Sequence, residues 1–83
     1  MFVATIILKD TKNNSFLVKI DENTTVLDLK QKVMNNNESF HNTNEVALLF
    51  NGRELPDGMK MINTLIKTND VVDIVNTFLG GDF

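Results

Sequence analysis

Two adjacent glycines near the end of the chain, Gly80-Gly81, are the residues best suited to chemistry, and Asp82-Phe83 follow them. Glycine has no side chain, so a Gly-Gly segment can enter a channel that excludes other residues. Extended chain from Val75 to Gly81 spans about 20 Å. A carboxylate on Gly81, formed once Asp82-Phe83 is removed, could therefore enter another protein's active site. The alternative interpretation is a frayed terminus without function.

Composition excludes several classes of function. The 83 residues suffice for one small domain. The absence of cysteine excludes disulfides, thiolate metal sites and a cysteine nucleophile. A net charge of −3 gives no reason to expect nucleic acid as a partner, and no apolar run reaches the roughly 20 residues that span a membrane. The single histidine, His41, lies in a polar loop, which favours solvated surface over a metal ligand.

Alternating apolar residues predict a β-hairpin in the first part of the chain. Residues 2–9 and 16–20 are rich in β-branched and aromatic side chains, and turn-forming residues at 10–14 separate them. Ile7 and Leu17 would form a spot of ordinary exposed apolar surface. The side chains expected to face the core are Ala4, Ile6, Leu8, Phe16, Val18 and Ile20.

A helix is predicted after the hairpin. Thr25 and Asp28 have the spacing of an N-cap residue and its capping partner. The asparagines at 35–37 end the helix, and a polar loop over 38–44 follows. The apolar stripe of the helix consists of Val26, Leu29 and Val33.

The second half of the chain predicts three strands. Asn51-Gly52 is typical of a type I′ hairpin turn between a strand over 45–50 and a short return strand over 53–55. A short 3₁₀ or irregular turn around Met61 precedes the last strand, residues 70–77, in which Val72 and Ile74 face inward.

The predicted order is therefore ββαβββ, an α+β fold. A single helix stripe can be buried only across the concave face of a mixed sheet. The first and last strands are expected to pair in parallel at the sheet centre, because both are densely apolar.

The chain resembles ubiquitin and its relatives, the β-grasp modifiers. The most specific likeness is the segment LLFNGRELPDG at residues 48–58, and from there to Gly81 the two align without a gap. The likeness implies a β-grasp roll over residues 1–76 and a flexible tail over 77–83. It also implies that Lys30 and Asp57 match a partly buried ion pair.

The family likeness implies a function as well. Such a modifier is made as a precursor and is cut after the second glycine by a processing protease, here between Gly81 and Asp82. An E1-like activating enzyme then adenylates the Gly81 carboxylate, and an E2-like conjugating enzyme helps to place it on lysines of target proteins. The chain would be a substrate rather than an enzyme, with no cofactor, because the activating enzyme uses the ATP. We expect a monomer in the cytoplasm or nucleus, with no nucleic acid or membrane as a partner.

The tail departs from the family pattern. Thr77 and Leu79 stand where relatives have arginines that help the activating enzyme to select its modifier. We expect an activating enzyme other than that of ubiquitin to recognise Thr77, Phe78 and Leu79.

The family's recognition face is an exposed apolar patch with a histidine at its edge. Thr11 stands at the apolar hairpin position, Asp73 at the histidine and Ala47 at a nearby arginine. The resemblance thus implies a smaller and less basic partner-binding patch. Its residues are Leu49, Val75, Ala47, Val71, Asp73 and Thr11.

Two other functions remain open. Sulfur carriers of the β-grasp class also end in Gly-Gly, but their activated carboxylate becomes a thiocarboxylate. They usually end at the glycine, so Asp82-Phe83 argues against this function. A ubiquitin-like binding module that is never conjugated would bind through Leu49, Val75 and their neighbours, and its Gly-Gly would be incidental.

Overall fold

The computed structural model describes residues 1–36 and 40–77. Within these ranges, one α-helix packs on a five-stranded sheet, which confirms the α+β class, the ββαβββ order and the β-grasp architecture. No helix in these ranges has the length and apolar character to cross a bilayer. In chain order the elements are β1 (Val3–Lys9), β2 (Ser15–Asp21), α1 (Val26–Asn36), a 3₁₀ helix (Thr43–Glu45), β3 (Val46–Phe50), β4 (Arg53–Glu54), a second 3₁₀ helix (Met61–Thr64) and β5 (Val71–Asn76).

The sheet has the strand order β2-β1-β5-β3-β4. β1 and β5 pair in parallel, with Leu8 opposite Val72, and the other pairs are antiparallel. The parallel pairing predicted for the first and last strands is confirmed. Leu8 and Val72 are both fully buried, which explains why these strands occupy the middle of the sheet, where α1 covers them.

The helix begins at the predicted capping residues. The Thr25 backbone N–H donates to Asp28 Oδ2 at 3.0 Å, and the Asp28 N–H donates to Thr25 Oγ1 at 3.1 Å. This reciprocal pair satisfies two amides that the helix itself cannot bond. The predicted capping box is therefore confirmed.

The segment after β4 accepts further hydrogen bonds from backbone amides at the start of α1. The N–H groups of Val26 and Leu27 donate to the carbonyls of Met59 and Asp57, at 2.9 Å and 3.1 Å. One turn further along the helix, Lys30 Nζ lies 2.5 Å from Asp57 Oδ1, as the resemblance implied. Residues 57–59 thus hold the start of the helix in place through backbone hydrogen bonds and a side-chain ion pair.

The core lies between α1 and the concave face of the sheet. The predicted helix stripe is confirmed, since Val26, Leu29 and Val33 are at most 1% exposed. On the sheet, the buried residues alternate as predicted and include Ala4, Ile6, Leu8, Val18, Ile20, Val72 and Ile74.

The loop before β3 is more structured than its polar sequence predicts. Phe40 is 9% exposed and belongs to the core. Asn42 caps the first 3₁₀ helix by accepting from the Asn44 N–H at 2.9 Å. Glu45 Oε1 accepts from the N–H groups of His41, at 2.6 Å, and Asn42, at 3.2 Å. These backbone bonds lower the pKa of Glu45.

Positive backbone φ angles mark two turns near β4. Asn51 and Gly52 have φ of 55° and 80°, which confirms the predicted type I′ turn. Leu65 has φ of 65° at the end of the second 3₁₀ helix and is 83% exposed. A leucine in this left-handed conformation is strained, because its Cβ crowds the backbone.

Candidate functional site

The predicted partner-binding patch lies on the sheet face that α1 does not cover. Val72 and Ile74 of β5 are buried beneath the helix, so the alternate residues Val71, Asp73 and Val75 face the other side. We call this side the outer face.

Leu49 lies at the centre of a row that crosses four strands. It is directly opposite Asp73 on β5 and opposite Glu54 on β4. Lys9 on β1 is opposite Asp73 on its other side. Leu49 is half-buried, while Asp73 and Glu54 are exposed. In the described part of the chain the one ion pair is Lys30–Asp57, so both carboxylates beside Leu49 are without a salt bridge there.

Val75 and Ala47 form the next pair along the outer face. They lie directly opposite each other on β5 and β3. Val75 is half-buried, whereas Ala47 is only 5% exposed. Ala47 therefore offers little surface to a partner.

Thr11 is exposed in the turn after β1. The pairing of β1 with β5 ends at Lys9 and Asp73, so Thr11 lies beyond the paired part of these two strands.

A second apolar row crosses the outer face, and Lys9 and Asp73 separate it from Val75 and Ala47. Ile7 lies opposite both Leu17 and Val71, and these two residues are 67% and 43% exposed. The exposed spot expected at Ile7 and Leu17 thus also includes Val71. The sequence could not join Val71 to them, because the parallel register of β1 and β5 is not visible in either strand alone.

The base of the predicted tail is held by the domain. Asn76 pairs with Val46 at the end of β5, and the Thr77 hydroxyl donates to the Asn44 carbonyl at 2.6 Å. The remaining tail positions named from the sequence lie outside the described residues: Phe78, Leu79, Gly80, Gly81, Asp82 and Phe83.

A groove of about 650 Å³ lies between β4 and the second 3₁₀ helix, with Phe50, Met59 and Leu65 among its walls. No sequence pattern marks it, because its walls come from segments that only the fold brings together. In residues 1–36 and 40–77 there is no group of three acidic or histidine side chains that could hold a metal ion.

Comparison with known proteins agrees with this geometry. The family model described as "Ubiquitin-2 like Rad60 SUMO-like" matches residues 4–75, which span β1 to the outer-face residue Val75 of β5. A comparison with curated proteins finds no match. With the match covering most of the 83 residues, the chain belongs to the Rad60 SUMO-like family of ubiquitin-like domains.

Proposed function

We propose that this chain is a protein modifier that is made as a precursor and cut between Gly81 and Asp82. An E1-like enzyme adenylates the new Gly81 carboxylate, and an E2-like enzyme assists its transfer to lysines of target proteins. The observation that carries the proposal is the position of Gly80-Gly81 in the sequence, with only three residues between it and β5 of a ubiquitin-like domain. A processed tail there presents a carboxylate to an enzyme that holds the domain.

The geometry of β5 supports this use of the tail. β5 is the central strand of the sheet and is paired on both sides. The Thr77 hydroxyl bond adds a fixed point one residue beyond β5. From Thr77 to Gly81 an extended chain reaches about 13 Å. A rigid base followed by a short segment ending in two glycines suits insertion into a narrow channel.

In this proposal the chain is the substrate and its partners supply the catalysis. A carboxylate is a poor electrophile, and adenylation provides the leaving group that it lacks. The residues offered to the activating enzyme are Thr77, Phe78 and Leu79, which lack the positive charge of the ubiquitin tail, so a dedicated activating enzyme is proposed. The chain itself carries no cofactor and acts as a monomer in the cytoplasm or nucleus.

A second candidate is a binding module that is not conjugated. The specific observation in its favour is that the family match ends at residue 75, before the diglycine. In that case the outer face around Leu49 and Val75 carries the whole function, and Gly80-Gly81 takes no part.

Mass spectrometry of the protein recovered from its source cells separates these functions. A Gly81 isopeptide on lysines of other proteins supports the modifier. An uncut Asp82-Phe83 end in every molecule supports the binding module and contradicts our proposal. A terminal thiocarboxylate on Gly81 also contradicts it, because that group identifies a sulfur carrier.

A matched pair of glycine variants tests the role of the tail. Gly81→Ala should abolish conjugation and leave the thermal midpoint unchanged. The control is Gly58→Ala, since an added Cβ at Gly58 meets no atom within 4 Å, and this variant should still be conjugated. Equal conjugation of wild type and Gly81→Ala would contradict the proposal.

A further inference from the structure

We propose that the groove beside β4 binds an extended segment of a partner protein that carries an apolar, a basic and an acidic residue in that order. The segment pairs with the free edge of β4 and places its apolar side chain in the groove. Leu49 and the other residues of the predicted patch do not line this groove. The inference therefore goes beyond the proposed function and does not depend on conjugation.

The first step of the argument is the hydrogen bonding of β4. The Leu55 N–H donates to the Leu48 carbonyl at 2.9 Å, so Leu55 bonds toward β3. Arg53 lies opposite Phe50 across the two-residue turn, and the residues that flank such a turn also bond to each other. Since the bonding direction alternates along an antiparallel strand, Glu54 points its N–H and C=O away from β3.

These two backbone groups of Glu54 lie at the edge of the sheet. Within residues 1–36 and 40–77 no strand lies beyond β4, and no bond to another segment uses them there. Pro56 is the next residue whose groups would point outward, and it has no N–H. Only Glu54 can therefore exchange two backbone bonds with a partner residue, and side chains must supply the remaining affinity.

The second step is the apolar character of the groove. Phe50, Met59 and Leu65 are among the residues that line its volume of about 650 Å³, which lies in the range of ligand pockets. Leu65 has φ of 65° and is 83% exposed, so its strain brings little packing in return. Strained residues of this kind cluster at binding sites. Leu65 therefore supplies one wall for an apolar side chain of the partner.

The third step is the separation of charges between the two faces of β4. Arg53 and Glu54 are neighbours in the chain, but successive side chains of a strand point to opposite faces. Arg53 shares the face of Phe50, which packs against the core, and lines the groove. In the described part of the chain the one ion pair is Lys30–Asp57. The Arg53 guanidinium is thus available to a carboxylate, which it can bind in a bidentate manner.

The register of an antiparallel segment then sets the order of its residues. The partner residue opposite Glu54 has its side chain on the Glu54 face, where a basic residue suits the exposed carboxylate. The residue before it lies opposite Leu55, beside the apolar walls of the groove. The residue after it lies opposite Arg53, where an acidic side chain is favoured.

An NMR titration of the isotope-labelled full chain with the capped peptide Gly-Ser-Leu-Lys-Glu-Ser-Gly tests this order. The shift changes should include the Arg53, Glu54 and Leu65 signals. A control peptide with Leu-Glu-Lys at its centre has the same composition but places like charges beside Glu54 and Arg53. It should bind at least about fivefold more weakly.

N-methylated peptides test the backbone pairing. A methyl group on the lysine nitrogen removes the N–H that donates to the Glu54 carbonyl, and it should weaken binding about tenfold. The matched control carries the methyl group on the glutamate nitrogen, which points away from β4 in this register. That peptide should bind within about twofold of the unmodified one.

Variants of the chain locate the side-chain contacts. Arg53→Glu should weaken binding about five- to tenfold, because it replaces an attractive pair with a repulsive one. The control Lys12→Glu makes the same charge change in the exposed turn between β1 and β2 and should bind within about twofold of wild type. Leu65→Asn should weaken binding about fivefold without lowering the thermal midpoint, which separates a binding role from a packing role.

Several results would overturn the proposal. They are no shift change up to the solubility limit, equal binding of the two peptide orders, equal effects of the two N-methyl positions, and shift changes confined to the outer face. Leu65 signals of the free chain that change with protein concentration would assign the groove to a second copy instead. Leu65 signals that change when residues 78–83 are removed would assign it to the chain's own tail.

Discussion

Replacing Asp57 with alanine tests how strongly its ion pair with Lys30 stabilises the fold. The Lys30 side chain is 7% exposed and its Nζ lies 2.5 Å from Asp57 Oδ1, while the Asp57 side chain is 49% exposed. The change removes the carboxylate but keeps the Asp57 backbone carbonyl, which accepts from the Leu27 N–H. It therefore leaves a largely buried ammonium without its partner.

The size of the effect follows from these exposures. Removing one partner of a fully buried pair costs roughly 3–5 kcal/mol. Water reaches the open side of Asp57, so we expect the free energy of unfolding to fall by about 2 kcal/mol. An 83-residue domain has a total of about 4–12 kcal/mol. The thermal midpoint should fall by about 8–16 °C.

Urea unfolding followed by circular dichroism measures the loss, and a second variant identifies its cause. Lys30→Met fills the same space without a charge, so Lys30→Met with Asp57→Ala should be more stable than Asp57→Ala alone by about 1 kcal/mol. The control Glu22→Ala removes an exposed carboxylate and should change stability by less than about 0.5 kcal/mol. The reasoning is refuted if Asp57→Ala costs no more than this control, or if Lys30→Met gives no recovery.

Three further predictions concern single positions. Gly52→Ala should destabilise the domain by about 1 kcal/mol in thermal unfolding, because Gly52 has φ of 80°. The control Gly58→Ala should not destabilise it, and an equal loss of stability in both variants would contradict the turn geometry. Leu65→Asn should stabilise the domain by up to about 1 kcal/mol, since asparagine tolerates the φ of 65°, and a loss of stability would show that Leu65 contributes packing that its exposure hides. The lowered pKa of Glu45, whose ordinary value is 4.5, means that its cap stabilises the fold above that pH and is lost as the pH falls through the lowered pKa. Urea midpoints of Glu45→Gln should therefore fall less than those of wild type on acidification, and parallel curves would contradict this.

Local signals in the sequence predicted most of the fold. Thr25 with Asp28, Asn51 with Gly52, and the helix stripe each depend on residues a few positions apart, so one segment contains the whole signal. The likeness to ubiquitin added the long-range ion pair. Agreement between these levels is why the ββαβββ order of the elements could be predicted.

The features that sequence reasoning missed depend on contacts between distant segments. Phe40 is a single aromatic residue in a polar loop, and only the assembled core shows that it is buried. Ala47, which the resemblance places in the partner-binding patch, is covered. The spacing of Asn42 and Glu45 was a readable capping signal for the first 3₁₀ helix, but the surrounding asparagines obscured it. The acidic flanks of Leu49 required the register of β3 with both neighbours.

The central position of β5 has a consequence for how the chain acquires its structure. β1–β2 and β3–β4 are separate hairpins, and β5 is the strand that joins them. During synthesis the two hairpins leave the ribosome before the strand that links them exists, so a nascent chain that stops short of β5 exposes two unmatched sheet edges. Such edges invite aggregation. Folding of the whole domain must therefore wait for Val71–Asn76, and a chain that ends before that segment leaves both sheet edges unpaired.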